Sequence, residues 1–532
     1  MRPNSWPEEG LNIVEKLVDG VKIKVYGDRP PNLRELLRKT TDEYYDKEAV
    51  VYQGQRITYG ELKHRVNRVS SALQKTYGVD KGDRVAILFT NTPEFIVSYF
   101  AVAQIGAICV PLNYRLGTEE TAYQLLDTGA KAIIFEPAYL ERIQAIQGRL
   151  NDLKYLFMTG DQVPEGVLSY DELEGYQGDM YEEVPIDEED PASIMYTSGT
   201  TGKPKGAIIC HRNLICNAMT VANLWGIGPE TKQMVLTPLF HASALHSQMM
   251  SSVLNGGTSI VMKEFKTIPA LELMEQERIN LLVAVPTMYW FWINEPEIDK
   301  YDLSSIQYTI SGAAPAAPEL IRQLAVKFPN AKFVNAGGLT ESTSCSYSLP
   351  PEAALTKQGS VGWSAPTMEI KVVDDNGEDL GVEESGELWF KGPGVCKGYW
   401  NNPEGTRESI TDGWLHTGDV GKVDEDGFLF LLDRKKDMII RGGENIYCVE
   451  VENVLYSHPQ VLEAAVVGVP DKVFGEQVKA VLVLKPGEET DVEQVRVFCA
   501  SQLADYKVPK YVDFAKELPR NPGGKVIKGQ LK

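Results

Sequence analysis

From about Leu33 onward, segments patterned like amphipathic helices alternate with short continuous apolar runs that read as buried strands. Helices are expected over residues 59–76 and 93–106, and strands over 84–89 and 132–136. This alternation predicts an α/β fold built on doubly wound sheets. Five further strand-like runs, at 194–196, 234–237, 281–285, 308–310 and 333–334, each end in an unusual polar or Gly-rich turn. The turns read TSGTTGKPKG, PLFHAS, PTM, SGAAP and NAGGLTES. Ligands of open parallel sheets bind beyond the carboxyl ends of the strands, so five such loops on one edge would form one large nucleotide site.

The pattern changes after Asp433-Arg-Lys-Lys-Asp437, a charged run between two apolar strands. Beyond it a unit of its own is expected, with helices over 448–456 and 492–503 and strands over 464–468 and 478–484. We therefore expect a large multi-layer domain at 1–435 and a small α+β lid at 436–532. Residues 95–112 carry no charge and are about long enough to span a bilayer. Ser98, Gln104 and Gly106 interrupt them and the period switches inside them, so a buried helix followed by a core strand is the better reading.

The densest chemistry lies in the TSGTTGKPKG run. Its glycines let successive N–H groups point inward as an anion-binding nest, its hydroxyls add donors, and Lys203 and Lys205 add positive charge. Its spacing is not that of a Walker loop, since Gly199 and Gly202 are close together and Pro204 follows the lysine. A polyphosphate cradle is expected; a flexible surface loop is the alternative.

Composition narrows the rest. The 532 residues call for more than one domain, and a formal charge of −21 argues against a nucleic-acid partner. Seven cysteines without a C-x-x-C pair fit free thiols in a reducing cytoplasm, and the six histidines show no metal-ligand spacing. The first residues lack the apolar core of a signal peptide.

Taken in order, TSGTTGKPKG, PLFHAS, SGAAP, GGLTE, HTGD, DRKKD, GGENIY and the late lysine of NPGGKVIK resemble the adenylate-forming superfamily. That group contains acyl- and aryl-CoA synthetases, firefly luciferase and nonribosomal-peptide adenylation domains. The match runs over nearly the whole chain. It implies an AMP-forming carboxylate–CoA ligase that uses ATP, Mg²⁺ and coenzyme A. Thr197, Ser198, Gly199, Thr200, Thr201, Gly202, Lys203 and Lys205 would hold the β- and γ-phosphates. Ser311, Gly312 and Ala313 would wall the adenine slot with Gly337 and Gly338. Thr340 would touch the α-phosphate, Glu341 and Thr200 would hold Mg²⁺, and Asp419 and Arg434 would contact the ribose. Lys525 would bridge the acid and the α-phosphate. The lid would turn about Lys436 between half-reactions, bringing Gly442 and Gly443 to the pantetheine tunnel.

His241 sits where amino-acid-activating relatives usually carry aspartate, and so resembles the CoA ligases. The segments expected to line the acid contain Ala242, Ala244, Leu245, Val285, Met288, Trp290 and Trp292. They suggest a hydrophobic acid, a medium- or long-chain fatty acid or else an aryl acid. Delivery of the acyl group to a carrier protein in trans is the rival. The resemblance also leaves room for a homodimer and for peripheral contact with membranes. Two positions depart from the family: Gly337 stands where an aromatic ring usually covers adenine, and Cys448 where proline is common.

Overall fold

The computed structural model describes residues 3–197, 203–312, 316–521 and 526–532. Two large sheets form the body of the protein. In the seven-stranded one, Arg84–Leu88 lies between Ile108–Pro111 and Ala132–Phe135, all parallel. Helix Pro93–Gln104 has proline in its first turn and is buried along almost its whole length. It runs into the fully buried strand Ile108–Pro111, so the uncharged stretch is core. Among the described residues no helix is long and apolar enough to cross a membrane.

The second sheet has fourteen strands. Its parallel centre runs Lys332–Gly337, Tyr308–Ser311, Leu281–Ala284, Lys232–Val235, Thr258–Val261. Its antiparallel wing continues through Tyr347–Ser348 and Ser360–Ser364 to Leu429–Arg434 and Trp414–Val423. Four of the five expected strand ends therefore share one edge. The fifth does not: Pro191–Thr197 belongs to the seven-stranded sheet, parallel to Ile108–Pro111 and antiparallel to Lys205–Cys210. Only seven residues separate Thr197 from Lys205, too few for the crossover that a parallel return needs. The candidate site thus lies between two sheets.

Helix Tyr59–Ser71 starts with a Thr58–Glu61 capping box and passes into a π turn over Ala72–Thr76. The expected single helix is thus two kinds of helix. The C-terminal strands Ile439–Arg441, Glu444–Ile446, Val461–Asp471, Gly475–Leu484 and Tyr511–Phe514 form a separate five-stranded sheet. Helices Cys448–Tyr456 and Val492–Ala500 cover a core of Ile439, Ile446, Val451, Leu455, Val466 and Val495. Among the described residues, no strand pairing crosses between Arg434 and Ile439. All seven cysteines are buried free thiols.

Candidate active site

Strand Pro191–Thr197 carries Thr197 at its end, where the hydroxyl donates to the Lys205 carbonyl across the hairpin at 3.4 Å. The rest of the cradle, Ser198, Gly199, Thr200, Thr201 and Gly202, lies outside the described residues, as do Ala313 and Lys525. Both flanking lysines sit over aromatic rings: Lys203 Nζ is 5.3 Å from the Tyr123 centroid and Lys205 Nζ is 4.8 Å from that of Tyr399. Such contacts attract a cation without neutralising it. The Tyr399 hydroxyl donates to Glu341 Oε1 at 3.0 Å. Burial, then the Glu341 charge, pushes this phenol up, so it stays a donor. A chain Lys205–Tyr399–Glu341 therefore joins the phosphate hairpin to the GGLTE turn.

That turn is tightly constrained. Thr340–Ser342 forms one 3₁₀ turn, and Thr343 and Ser344 follow at φ 62° and 110°. A β-branched residue in the left-handed region is a strained conformation of the kind stored at functional sites. It is held by the Thr343 hydroxyl donating to the Gly394 carbonyl at 2.6 Å and by the Cys396 N–H donating to the Glu341 carbonyl at 2.8 Å. Gly338 is required here: a Cβ would stand 2.3 Å from the Ser344 carbonyl oxygen.

The residues expected to face the nucleoside gather beside this turn. Gly312 and Gly337 lie at the ends of neighbouring parallel strands, and a Cβ on Gly312 would meet the Ala336 carbonyl at 3.0 Å. Asp419 and Arg434 are register partners on adjacent strands, and Arg434 Nε pairs with Asp419 Oδ1 at 2.7 Å. The space where a ring at 337 would stand is filled. Tyr347, paired with Gly337 across the ladder, places its hydroxyl 2.7 Å from the Cβ that Gly337 lacks. Burial raises the Tyr347 phenol, Asp419 beside it raises it further, and Arg434 opposes this. The space beside Gly337 is thus occupied by a ring from the next strand.

Gly337→Tyr is accordingly expected to displace Tyr347. ATP KM should rise by roughly tenfold, about 1 kcal/mol of aromatic contact. Pairing it with Tyr347→Ser should recover much of the loss. Steady-state KM for ATP in both variants checks this, and a lower KM in the single variant would show the space to be open.

His241 is half-buried at the start of the π-helical segment Ser243–Met249, its ring 4.3 Å from that of Phe240. Of the residues expected to line the acid, Ala242, Ala244, Leu245 and Trp292 are core members, with Trp292 packed on Tyr289 and Phe265. Val285, Met288 and Trp290 are half-buried. Gly442 and Gly443 are both left-handed, at φ 63° and 91°, and close the hairpin between Ile439–Arg441 and Glu444–Ile446. Among the described residues, the hairpin's hydrogen bonds run to Phe474, Glu476 and Gln477 of the C-terminal unit and not to the expected ATP-site residues. Lys436 is exposed in the connection.

A hydrogen bond crosses that connection. Asp433, before Lys436, accepts from the backbone N–H of Cys448, the first residue of the lid helix Cys448–Tyr456. Nearby, Lys528 Nζ pairs with Glu452 at 2.9 Å. Sequence reasoning missed Tyr399, Tyr347 and the Asp433–Cys448 bond. The aromatic pair Tyr399–Trp400 in a polar stretch was the signal for the first; nothing local marks the others.

Comparison with known proteins agrees with this geometry. A family model described as AMP-binding enzyme matches residues 37–400, and the model of its C-terminal domain matches 450–525. The chain belongs to this family, in its acyl-CoA synthetase branch. It is 39% identical over 485 residues to a feruloyl-CoA synthase of Amycolatopsis sp, covering 91% of this chain and 95% of that one. It is 34% identical to a long-chain-fatty-acid–CoA ligase of Bacillus subtilis, covering 94% of each. The crystal structure of an anthranilate CoA ligase in complex with anthranoyl-AMP superposes with a TM-score of 0.89 at 28% identity, covering 94% of this chain and 96% of the other.

Proposed function

We propose that the protein joins an aryl-bearing carboxylic acid to coenzyme A in two steps at this site. In the first, a carboxylate oxygen attacks the α-phosphorus of ATP, a P–O bond to the β-phosphate breaks, and pyrophosphate leaves. In the second, the CoA sulfur attacks the acyl carbon of the mixed anhydride and AMP leaves as the C–O bond breaks. Little covalent chemistry is asked of the protein; charge neutralisation and alignment do most of the work.

The observation that carries this reading is the meeting of two clusters on one strained turn. Lys205, Tyr399 and Glu341 stand on one side and Gly312, Gly337, Tyr347, Asp419 and Arg434 on the other. Thr197, Lys203 and Lys205 would face the outer phosphates, and Thr340 the α-phosphate. Asp419, fixed by Arg434, would accept from the ribose hydroxyls. Glu341 engages one carboxylate oxygen with Tyr399. A lone carboxylate beside phosphates fits Mg²⁺, a hard cation usually shared between protein and nucleotide oxygens. Bound there, with Thr200, it would supply further positive charge at the phosphates. An aryl acid is favoured by the similarity to the feruloyl-CoA synthase and the anthranilate CoA ligase. The similarity to the Bacillus subtilis ligase favours a fatty acid as the second reading.

A pyrophosphate-release screen over cinnamic, benzoic, indole and fatty acids, with and without CoA, tests the proposal. Fastest release with aryl acids and thioester only with CoA are expected. Fatty acids outpacing every aryl acid would favour the second reading.

The bond from Cys448 to Asp433 spans the proposed pivot, so a lid that turns at Lys436 must release it. Proline is well suited to the first helical position, and Tyr447 is already extended, as a residue before proline should be. Cys448→Pro thus removes the donor while Cys448→Ala keeps it, and both lose the thiol's bond to the Asp437 carbonyl at 3.2 Å. The ratio of the two half-reaction rates should shift by roughly tenfold in the proline variant, matching a charge-assisted bond of about 1.5 kcal/mol. It should stay put in the alanine variant. Equal ratios in both would show that this bond does not bias the lid.

A further inference from the structure

Helix Thr118–Thr128 packs beside the phosphate hairpin and carries a phenol that the proposed reaction does not use. The Glu120 carboxylate accepts from the Gly117 N–H and so fixes the start of the helix. Ala122 and Leu125 bury it in the same core as Ile194 of the hairpin's first strand, which makes helix and strand one support. Tyr123 and Asp127 lie one turn apart on one face. The Asp127 carboxylate accepts from the Tyr196 hydroxyl, and its carbonyl accepts from Trp400 Nε1 at 3.1 Å and from Asn401 Nδ2 at 2.7 Å. A single turn of helix thus ties down both the strand that enters the cradle and the segment after Tyr399.

Tyr123 meets the returning arm of the hairpin. Its hydroxyl donates to the Pro204 carbonyl at 3.1 Å, and Lys203 Nζ lies 5.3 Å from its ring centroid. Burial, then the Asp127 charge, raises the phenol's pKa, so it stays a donor. Each contact constrains a different part of the arm. Proline already fixes φ at position 204. A held carbonyl then fixes the plane of the Pro204–Lys205 peptide, because carbonyl and N–H are locked in one plane and point opposite ways. That plane sets where the Lys205 side chain leaves the backbone. The ring holds the Lys203 ammonium by attraction alone, so its charge is not neutralised before a phosphate arrives. Lys205 has the same kind of seat over Tyr399, whose hydroxyl is committed to Glu341.

We propose that Tyr123 is a positioning residue for ATP, presetting Lys203 and the Pro204–Lys205 peptide for the β- and γ-phosphates. This rests on the ligase reading above, in which those two lysines meet the outer phosphates. A ligand that must order its own cradle loses that ordering from its affinity, and groups held in place beforehand avoid the loss. AMP lacks the two outer phosphates, so its affinity should not register the loss of Tyr123.

The test is titration calorimetry of ATP and of AMP, each with Mg²⁺ and without acid, on the parent enzyme, Tyr123→Phe and Tyr123→Leu. Phenylalanine keeps the ring beside Lys203 and loses the bond to Pro204; leucine loses both. The Kd for ATP should rise about threefold in the first and roughly tenfold in the second. The Kd for AMP should stay within about twofold in both. A residue that merely packs the helix against the hairpin would weaken the two nucleotides alike. Equal weakening of ATP and AMP, or an unchanged ATP Kd in either folded variant, overturns the inference while leaving the ligase reading intact. The phenylalanine variant removes a single oxygen and decides the question where the leucine variant fails to fold. Absence of ATP binding by the parent enzyme overturns the ligase reading, and this inference with it.

Discussion

Lys525→Ala should abolish adenylation while sparing attack of CoA on supplied acyl-AMP. Two anions, the carboxylate and the α-phosphate, must approach within bonding distance in the first step. A lysine delivers a point charge between them on a flexible stem. Removing a donor aimed at developing transition-state charge lowers rates by roughly 10²–10³-fold, and that is the fall expected in acid-dependent pyrophosphate release. The second step forms no bond to phosphorus. Consumption of synthetic acyl-AMP by CoA should stay within a few-fold of the parent enzyme, on the order of the small effect of a group absent from the step. Equal losses in both assays would contradict a lid that takes Lys525 away between steps.

Lys436→Pro should produce the opposite partition. Proline fixes φ near −65° and so denies a pivot its rotation. The backbone hydrogen bonds of this turn come from Lys435, Asp437 and Met438, so the substitution removes none of them. Conformational gating of this sort often limits turnover, and CoA thioester formation should fall by at least ~10-fold where the gate is blocked. Rapid-quench analysis should show acyl-AMP accumulating on the enzyme. Normal steady-state thioester formation would place the pivot elsewhere.

Much of the architecture was legible because its signals are local. Helix Cys448–Tyr456 and the strands on either side of the charged run follow directly from apolar periodicity and punctuation. The motifs placed Asp419 and Arg434 as one site, and the ladder makes them register partners. What stayed hidden depends on pairing between distant segments. That Pro191–Thr197 joins a different sheet from its four counterparts follows from strand order, which periodicity does not encode. Tyr347 fills the gap at Gly337 only because the two strands pair antiparallel in that register. The apolar segment containing Trp292 misled for a related reason: a strand-end loop and a core helix share the same composition, and Trp292 packs into the core.

The most direct test of the account is a nucleotide and product balance for one accepted aryl acid. ATP, the acid and CoA are incubated with the enzyme, and AMP, ADP, pyrophosphate, phosphate and acyl-CoA are quantified together. The account predicts AMP, pyrophosphate and acyl-CoA in equal amounts, with acyl-AMP replacing acyl-CoA when CoA is left out. Formation of ADP and phosphate, or acyl-CoA without matching AMP, would contradict it.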